Sequence, residues 1–472
     1  MDFSSRHLLA PPKYGRLSGA GGRRALCGDE RTYVETRFTA GQDHKLTQLR
    51  SEDPAAATIE PSRRKEMQSA IRRILGKVAK GQSTPLRVVF TDQSSYQNRE
   101  ADPEVTIVFK SKRAERRTAL FGYVGFFESY FEGEVDILGE QPVRKLIRMA
   151  YASAYKYTAN PLISFHRRRL ERRQSNREYA RAKANARAHY GLPVELFRAL
   201  LGETICYAEG HWPEGTETLD EAQHKRCDYI CRKLLLRPGD KMVEVGSAWG
   251  YMSMLAAEKY GANVTNYGLV PEQNVVMQQR LVKKGLTDRV KIIEKDHREL
   301  KREPDTYDKY VSIGVYEHAG MDCQRGWIES IAVALKPGGI GVLATTTYME
   351  NVPTEYLTIK YVFPGGQVPS LPLTLALMDE FGLHVVDVED LSAHYQRTGE
   401  EWLRNLDSKW PEIKAIDPGT FTEKFRRIWT YYLSGAVENF RPGGGNLNLH
   451  HITFEKGKGY YPKTRDFLYS KK

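Results

Sequence analysis

The stretch VEVGSAWGY, Val243 to Tyr251, runs from an apolar, β-branched segment into a glycine-containing turn and on into the helix-forming run YMSMLAAEKYG. Gly246 and Gly250 let the backbone approach a ligand closely, and the first turn of the following helix offers N–H groups that lack intrahelical partners. Any strand-to-helix turn favours glycine, so the motif gains its weight from what surrounds it. KMVEV before it reads as a strand, and NVTNYGL after the helix as a second. PEQNVVMQQRLVKKG is a helix opened by Pro271, VKIIEKD a third strand and KYVSIG, Lys309 to Gly314, a fourth. A helix through Gly326 to Leu335 leads to GIGVLATTT after the KPGG turn. This alternation predicts an α/β fold with a doubly wound, mostly parallel sheet whose ligand sits outside the carboxyl ends of its strands. Further on, Phe421, Phe425, Ile428, Trp429, Tyr432, Leu433 and Val437 recur at helical spacing, and NLNLHHITFEK reads as a last strand.

Towards the amino terminus the pattern changes. Residues 1–80 are expected to be a flexible tail with one short helix near Glu66 to Gly81. Residues 81–160 read as a small α+β domain: LRVVF and EVTIVF form a hairpin or a pair of strands across the polar TDQSSYQNREADP, and the aromatic FGYVGFFESYFEGEVDI follows. Between Arg167 and Arg187 lie nine Lys or Arg residues and two acids, without Pro or Gly, so 161–190 is expected to be a basic helical linker. The remainder, 191–472, would carry the doubly wound sheet.

With 472 residues, 40% hydrophobic and 28% charged, the composition is that of a globular chain and excludes wholly disordered and collagen-like classes. No apolar run approaches the length of a spanning helix and the first thirty residues lack a signal-peptide core, so a cytoplasmic location is expected. The five cysteines form no CxxC pair, and no metal site is expected. The net charge of +12 favours an anionic partner, either nucleic acid or an acidic membrane surface.

The E-x-G-x-A-x-G order around Gly246 resembles the nucleotide-proximal loop of S-adenosylmethionine methyltransferases more than the GxGxxG of dinucleotide enzymes. Further pieces sharpen this: RAHYGLPVELFRALLGETICYAEG, DKYVSIGVYEHAG, YVFPGGQVPSL, HYQRTGEEWLRNL and FRRIWTYYLSGAVENFR. Together with the glycine turn they resemble the cyclopropane-fatty-acyl-phospholipid synthase family, which includes the mycolic acid cyclopropane synthases. The resemblance implies a Rossmann-like S-adenosylmethionine methyltransferase domain with a smaller N-terminal α+β domain. It also implies methyl transfer to the cis double bond of phospholipid acyl chains, with a bound bicarbonate as base. Peripheral attachment to the inner membrane face follows, with the basic run at Arg167 to Arg187 as the contact; the aromatic segment Phe121 to Phe131 packs a core or, as the alternative, adds an apolar contact. A homodimer is kept open.

Residue by residue, the resemblance places Tyr207, Gly246, Ala248, Gly250, Leu269, Gln273 and Asp296 at the cofactor, and Glu317, His318, Tyr395 and Ser247 at the chemistry. Plainer readings stand beside these. Asp296 is either an acceptor for an adenine amino group or a helix cap, Glu317 a cap, Tyr395 an ordinary buried tyrosine and Gln273 a solvent-facing residue. The sequence departs from the family at two bicarbonate positions, where Ser247 replaces a cysteine and Ala344 a histidine. A methylene or methyl-branched product without ring closure therefore competes with cyclopropane. A nucleic-acid methyltransferase is disfavoured, because SIGVYEHAG lacks the proline-aromatic signature that holds a flipped base, and no nucleic-acid partner is expected. A non-catalytic homologue is the third reading.

Overall fold

Four short strands open the fold in the computed structural model, which describes residues 61–153, 160–246 and 248–469. β1 (Leu86–Val89), β2 (Ser95–Gln97), β3 (Val105–Phe109) and β4 (Val135–Leu138) lie in the order β2-β1-β3-β4. In β3 the residues Val105, Ile107 and Phe109 alternate inward, the period of two that a strand covered on one face requires. β1 and β3 run parallel, and the antiparallel partner of β1 is β2, drawn from the polar stretch between them. LRVVF and EVTIVF are therefore paired strands but not the arms of a hairpin.

Helices Pro61–Ala79, Lys112–Phe131 and Pro142–Ala152 pack on this sheet around Ile71, Leu75, Phe90, Phe126 and Ile147. Phe126, Phe127, Tyr130 and Phe131 are buried there. The core reading of this segment therefore holds and the alternative of an apolar membrane contact does not: ring against ring, as in the 5.0 Å edge contact of Phe126 and Phe127, these side chains build a core.

The basic run also differs from expectation. It forms two helices, Pro161–Arg173, capped by the Asn160 side chain on the N–H of Leu162, and Tyr179–Tyr190. The buried Asn185 Nδ2 donates to Gln174 O and Asn176 Oδ1, each at 2.7 Å, and Asn176 Nδ2 donates to His318 O at 2.7 Å. These amides tie the second helix to the far sheet, so the segment is a wall of the site as well as a connection.

The large sheet contains β5 (Lys241–Val245), β6 (Asn263–Tyr267), β7 (Val290–Ile293), β8 (Tyr307–Ile313), β9 (Leu335–Tyr348), β10 (Leu383–Asp390) and β11 (Leu447–Lys456). Their order is β10-β11-β9-β8-β5-β6-β7; β5 to β9 are parallel, and β11 inserts antiparallel between β9 and β10. β10 has no counterpart in the sequence reading, because its half-exposed residues at the sheet edge lack the continuous apolar run of the inner strands. The strand order reverses between β5 and β8, and a doubly wound sheet holds its ligand outside the carboxyl ends at such a point. Gly246 and Gly314 lie there.

Candidate active site

β5 delivers the chain to Gly246, whose φ of +93° suits glycine alone and whose N–H donates to Tyr267 O at 3.0 Å. A Cβ on Gly246 would stand 2.2 Å from Val315 Cγ2. Ser247 lies outside the described residues. Ala248 has a left-handed φ of 43°, a conformation that costs a non-glycine residue on the order of 1 kcal/mol. Gly250 has φ +84° at the start of helix Tyr251–Tyr260, and a Cβ there would meet Met277 Cγ at 2.5 Å. Beneath the turn, Glu244 accepts from Ser253 Oγ and from Asn266 Nδ2 at 3.0 Å, and burial pushes its carboxyl up to about 7.

Above the turn opens a cavity lined by Gly246, Ala248, Leu269, Gln273, Asp296 and His297, and by Tyr207 and His318. Gln273 is buried, and its Nε2 has no hydrogen-bond partner among the described residues; the same is true of His297 Nδ1. Asp296 caps the turn His297–Arg302 through the N–H of Arg298 at 3.0 Å and receives the Arg298 guanidinium at 2.7 and 2.9 Å. Burial opposes its charge, but the Arg298 side chain outweighs it and holds the carboxyl below the usual range. The capping reading is thus realised by a residue that also lines the cavity.

A second cavity adjoins the first and shares Tyr190, Tyr207, Gly314 and His318 with it. Glu317 enters its wall from the short turn after β8. Its Oε1 accepts from Thr346 N at 2.6 Å, while Oε2 is buried with no hydrogen-bond partner among the described residues. Burial pushes this carboxyl up, against the hydrogen bond from Thr346. Aromatic rings make up much of the remainder. Tyr395 stacks on Phe440 at 4.5 Å and meets Trp402 edge-on at 5.7 Å, Tyr207 meets Trp402 at 5.2 Å, and Phe363 meets Tyr432 at 5.4 Å. Burial lifts the phenols of Tyr190, Tyr207 and Tyr395 well above their ordinary value, so each keeps its proton at neutral pH.

At the junction His318 Nε2 lies 2.8 Å from Tyr190 Oη, and burial lowers its imidazole to about 4, which leaves it neutral near pH 7. His189, stacked on Trp429, lies 3.2 Å from Tyr207 Oη and is lowered by burial to about 3. Ala344 is fully buried in β9, in register with His451 of β11, whose Nε2 is 2.7 Å from Glu209 Oε1.

The fold therefore gathers Gly246, Ala248, Leu269, Gln273 and Asp296 around one cavity, Glu317 and Tyr395 around the other, and Tyr207 and His318 between them. Gly250 shapes the turn from behind. Tyr190, Phe363, Trp402 and Tyr432 escape the sequence reading of the site, although all four lie inside the quoted motifs, Tyr190 in RAHYGLPVELFRALLGETICYAEG, Phe363 in YVFPGGQVPSL, Trp402 in HYQRTGEEWLRNL and Tyr432 in FRRIWTYYLSGAVENFR. Their signal is aromatic density on helices that pattern alone assigns to core.

A family model described as mycolic acid cyclopropane synthetase matches residues 177–452. The probable fatty acid methyltransferase of Pseudomonas putida is 30% identical over 398 residues, covering 82% of this chain and 96% of its own. The cyclopropane-fatty-acyl-phospholipid synthase of Escherichia coli (strain K12) is 28% identical over 345 residues, covering 72% of this chain and 85% of its own. The solved structure of mycolic acid cyclopropane synthase CmaA1 complexed with SAH and CTAB superposes with a TM-score of 0.53 at 27% identity, covering 58% of this chain and 98% of that one. Glycine turn, switch point, paired cavities and these matches converge: the chain belongs to the mycolic acid cyclopropane synthetase family and is an S-adenosylmethionine-dependent methyltransferase with a Rossmann-like fold.

Proposed function

We propose that this protein methylates the cis double bond of unsaturated acyl chains in membrane phospholipids and closes the product to a cyclopropane. The observation that carries the reading is the meeting of the two cavities at Tyr190, Tyr207, Gly314 and His318. A turn-built chamber opens there onto an aromatic one that holds two carboxylates, Glu355, fully engaged as a helix cap, and Glu317, whose Oε2 is buried without a partner among the described residues.

The first chamber fits S-adenosylmethionine: Gly246, packed so closely on Val315 that no Cβ could be added, presents bare backbone to the chamber, and the orphaned Gln273 Nε2 offers a donor. Gly246, Ala248, Leu269, Gln273, Asp296 and Tyr207 would hold the cofactor. When bound, the cofactor supplies an electrophilic methyl group. The aromatic faces of Tyr395, Trp402 and Tyr432 exclude water and favour positive charge on the alkene carbon left by methyl addition. His318, neutral and fixed by Tyr190, positions the junction without adding a competing cation.

A proton must then leave the substrate. For a bicarbonate base the described residues offer fewer donors than the resemblance implies: Ala344 carries none, and the Thr346 N–H is already given to Glu317. We therefore assign proton acceptance to Glu317 Oε2, whose raised affinity for a proton suits a base working near neutrality. If the proton leaves from the added methyl, a C–C bond closes the ring; if it leaves from a neighbouring carbon, a branched alkene results. The alanine at position 344 favours keeping this second outcome as a competing reading.

Among the described residues no helix is long and apolar enough to cross a membrane. The acyl chain would be reached from a bilayer surface. Helix Pro161–Arg173 suits such contact, presenting Leu162 (57% exposed) and Phe165 (54% exposed) beside the exposed Arg168, Arg169 and Arg172. We assign the contact to the cytoplasmic face of an anionic membrane. Expression in a host without cyclopropane lipids, followed by mass spectrometry, tests the reading. Cyclopropane or methyl-branched chains should appear with the wild type, and an unchanged lipid profile would contradict it.

A further inference from the structure

The second cavity does not end at its aromatic wall. Tyr151, Glu355, Tyr431 and Gly435 line it and also line a further cavity of about 350 Å³ set among helices Pro61–Ala79, Lys112–Phe131 and Pro142–Ala152. That third space is bounded mainly by aliphatic and aromatic side chains, including Ile71, Leu75, Val78, Phe126, Leu146 and Ile147. Its one carboxylate, Glu355, is already engaged as the cap of helix Tyr356–Tyr361, accepting from Leu357 N at 2.9 Å and Thr358 N at 2.8 Å, and from Tyr123 Oη at 3.0 Å. It asks for no ligand and offers none to a phosphate.

Gly435 marks the neck. It sits inside helix Glu423–Phe440, where a glycine costs about 1 kcal/mol relative to alanine, and it is not at a turn. A Cβ placed there would meet no atom within 4 Å. Packing therefore does not demand the glycine; what it leaves is open space between two apolar chambers.

Charge fixes the direction. On its other side the reaction cavity shares Gly366 and Gln367 with a groove where Arg168, Arg172, Arg173, Arg177 and Arg181 outnumber the acids Glu171, Glu178 and Asp322, the last paired with Arg177 at 3.0 Å. A phosphate headgroup is attracted to that groove and has no cationic partner in the aliphatic chamber.

We infer that the methyl-terminal arm of the substrate acyl chain passes over Gly435 into the aliphatic chamber of the N-terminal layer, which sets how much chain is accepted beyond the double bond. The inference rests on the proposed acyl reading of the reaction cavity and adds a specificity site to it. Elements preceding the span matched by the family model, residues 177–452, form most of that chamber.

The test is Gly435→Phe, with Gly435→Ala as a graded control. The ring should fill the neck while the helix gains propensity. Calorimetry should show S-adenosylhomocysteine binding unchanged and oleate binding weakened by about tenfold or more, or about 1.4 kcal/mol. Methyl transfer to oleoyl phospholipid should fall, whereas transfer to a phospholipid whose chain stops just past the double bond should persist, with Gly435→Ala intermediate. If Gly435→Phe keeps the wild-type preference between long and short chains, the placement of the arm is overturned while the proposed function stands. If the wild type binds S-adenosylhomocysteine but neither binds oleate nor methylates either lipid, the acyl reading of the reaction cavity fails, and this inference with it.

Discussion

The cofactor-side cavity and the reaction cavity touch, yet they are built on different principles. The first is made by the turns that follow consecutive parallel strands, so backbone geometry at Gly246, Leu269 and Asp296 decides what fits. The second is made by side chains from helices far apart in sequence, with Tyr190, Phe363, Tyr395 and Tyr432 meeting across it. A polar ligand with fixed shape is held by main chain and a few donors. A flexible apolar chain is held by ring faces and by space, and its chemistry is left to the one carboxylate whose second oxygen is unpaired.

This contrast predicts that damage to the first cavity acts on binding and damage to the second on turnover. The largest effect is expected of Gly246→Arg, where even a Cβ collides with Val315. Cofactor affinity should fall by at least about a hundredfold, or about 3 kcal/mol, in calorimetry, while the melting curve still reports a folded protein. Glu317→Gln should leave that affinity intact and slow product formation by about 10² to 10⁴. The wild-type rate should climb with pH until Glu317 ionises, above the range of an ordinary carboxylate, and the variant should lack this limb. Equal losses of affinity in the two variants would erase the distinction.

Burial of two imidazoles at the junction gives a third effect. His189 and His318 are held neutral, at about 3 and about 4, against an ordinary value of 6.5. The unfolded chain therefore takes up protons first, and stability should be full above pH 6.5 and decline as pH falls towards 4. His318→Gln should flatten that decline in thermal melts. Smaller again, changing Arg168, Arg169 and Arg172 to Gln should weaken binding to anionic vesicles by about 1 kcal/mol each at low salt, with little change at high salt. Least of all, Gln273→Ala should cost about 0.5–1.5 kcal/mol of cofactor affinity.

The same contrast explains what could be read before any coordinates. Gly246 and Asp296 follow their strands in turns that local pattern marks, whereas Leu269 and Gln273 come only from the resemblance to the family. Glu317 and Tyr395 were reachable only through a resemblance to the family, since nothing local separates a base from a cap. Tyr190, Phe363 and Gly435 depend on helices packing across long sequence separations, which periodicity does not encode. The basic run illustrates the limit: composition marks it as exposed, but only the Asn176 and Asn185 amides, which dock it on His318, make it part of the site. β10 was missed for a related reason, because an edge strand with half-exposed residues carries a diluted pattern.

The most direct test of the account incubates the purified protein with methyl-labelled S-adenosylmethionine and anionic vesicles of an unsaturated phospholipid, beside vesicles of its saturated analogue. Label should enter the acyl chains of the unsaturated lipid alone, each modified chain gaining a CH₂ unit, and should fall away with Glu317→Gln. Measurable cofactor binding without label in any acyl chain, or equal labelling of the saturated lipid, would contradict the assignment of the second cavity to an acyl double bond.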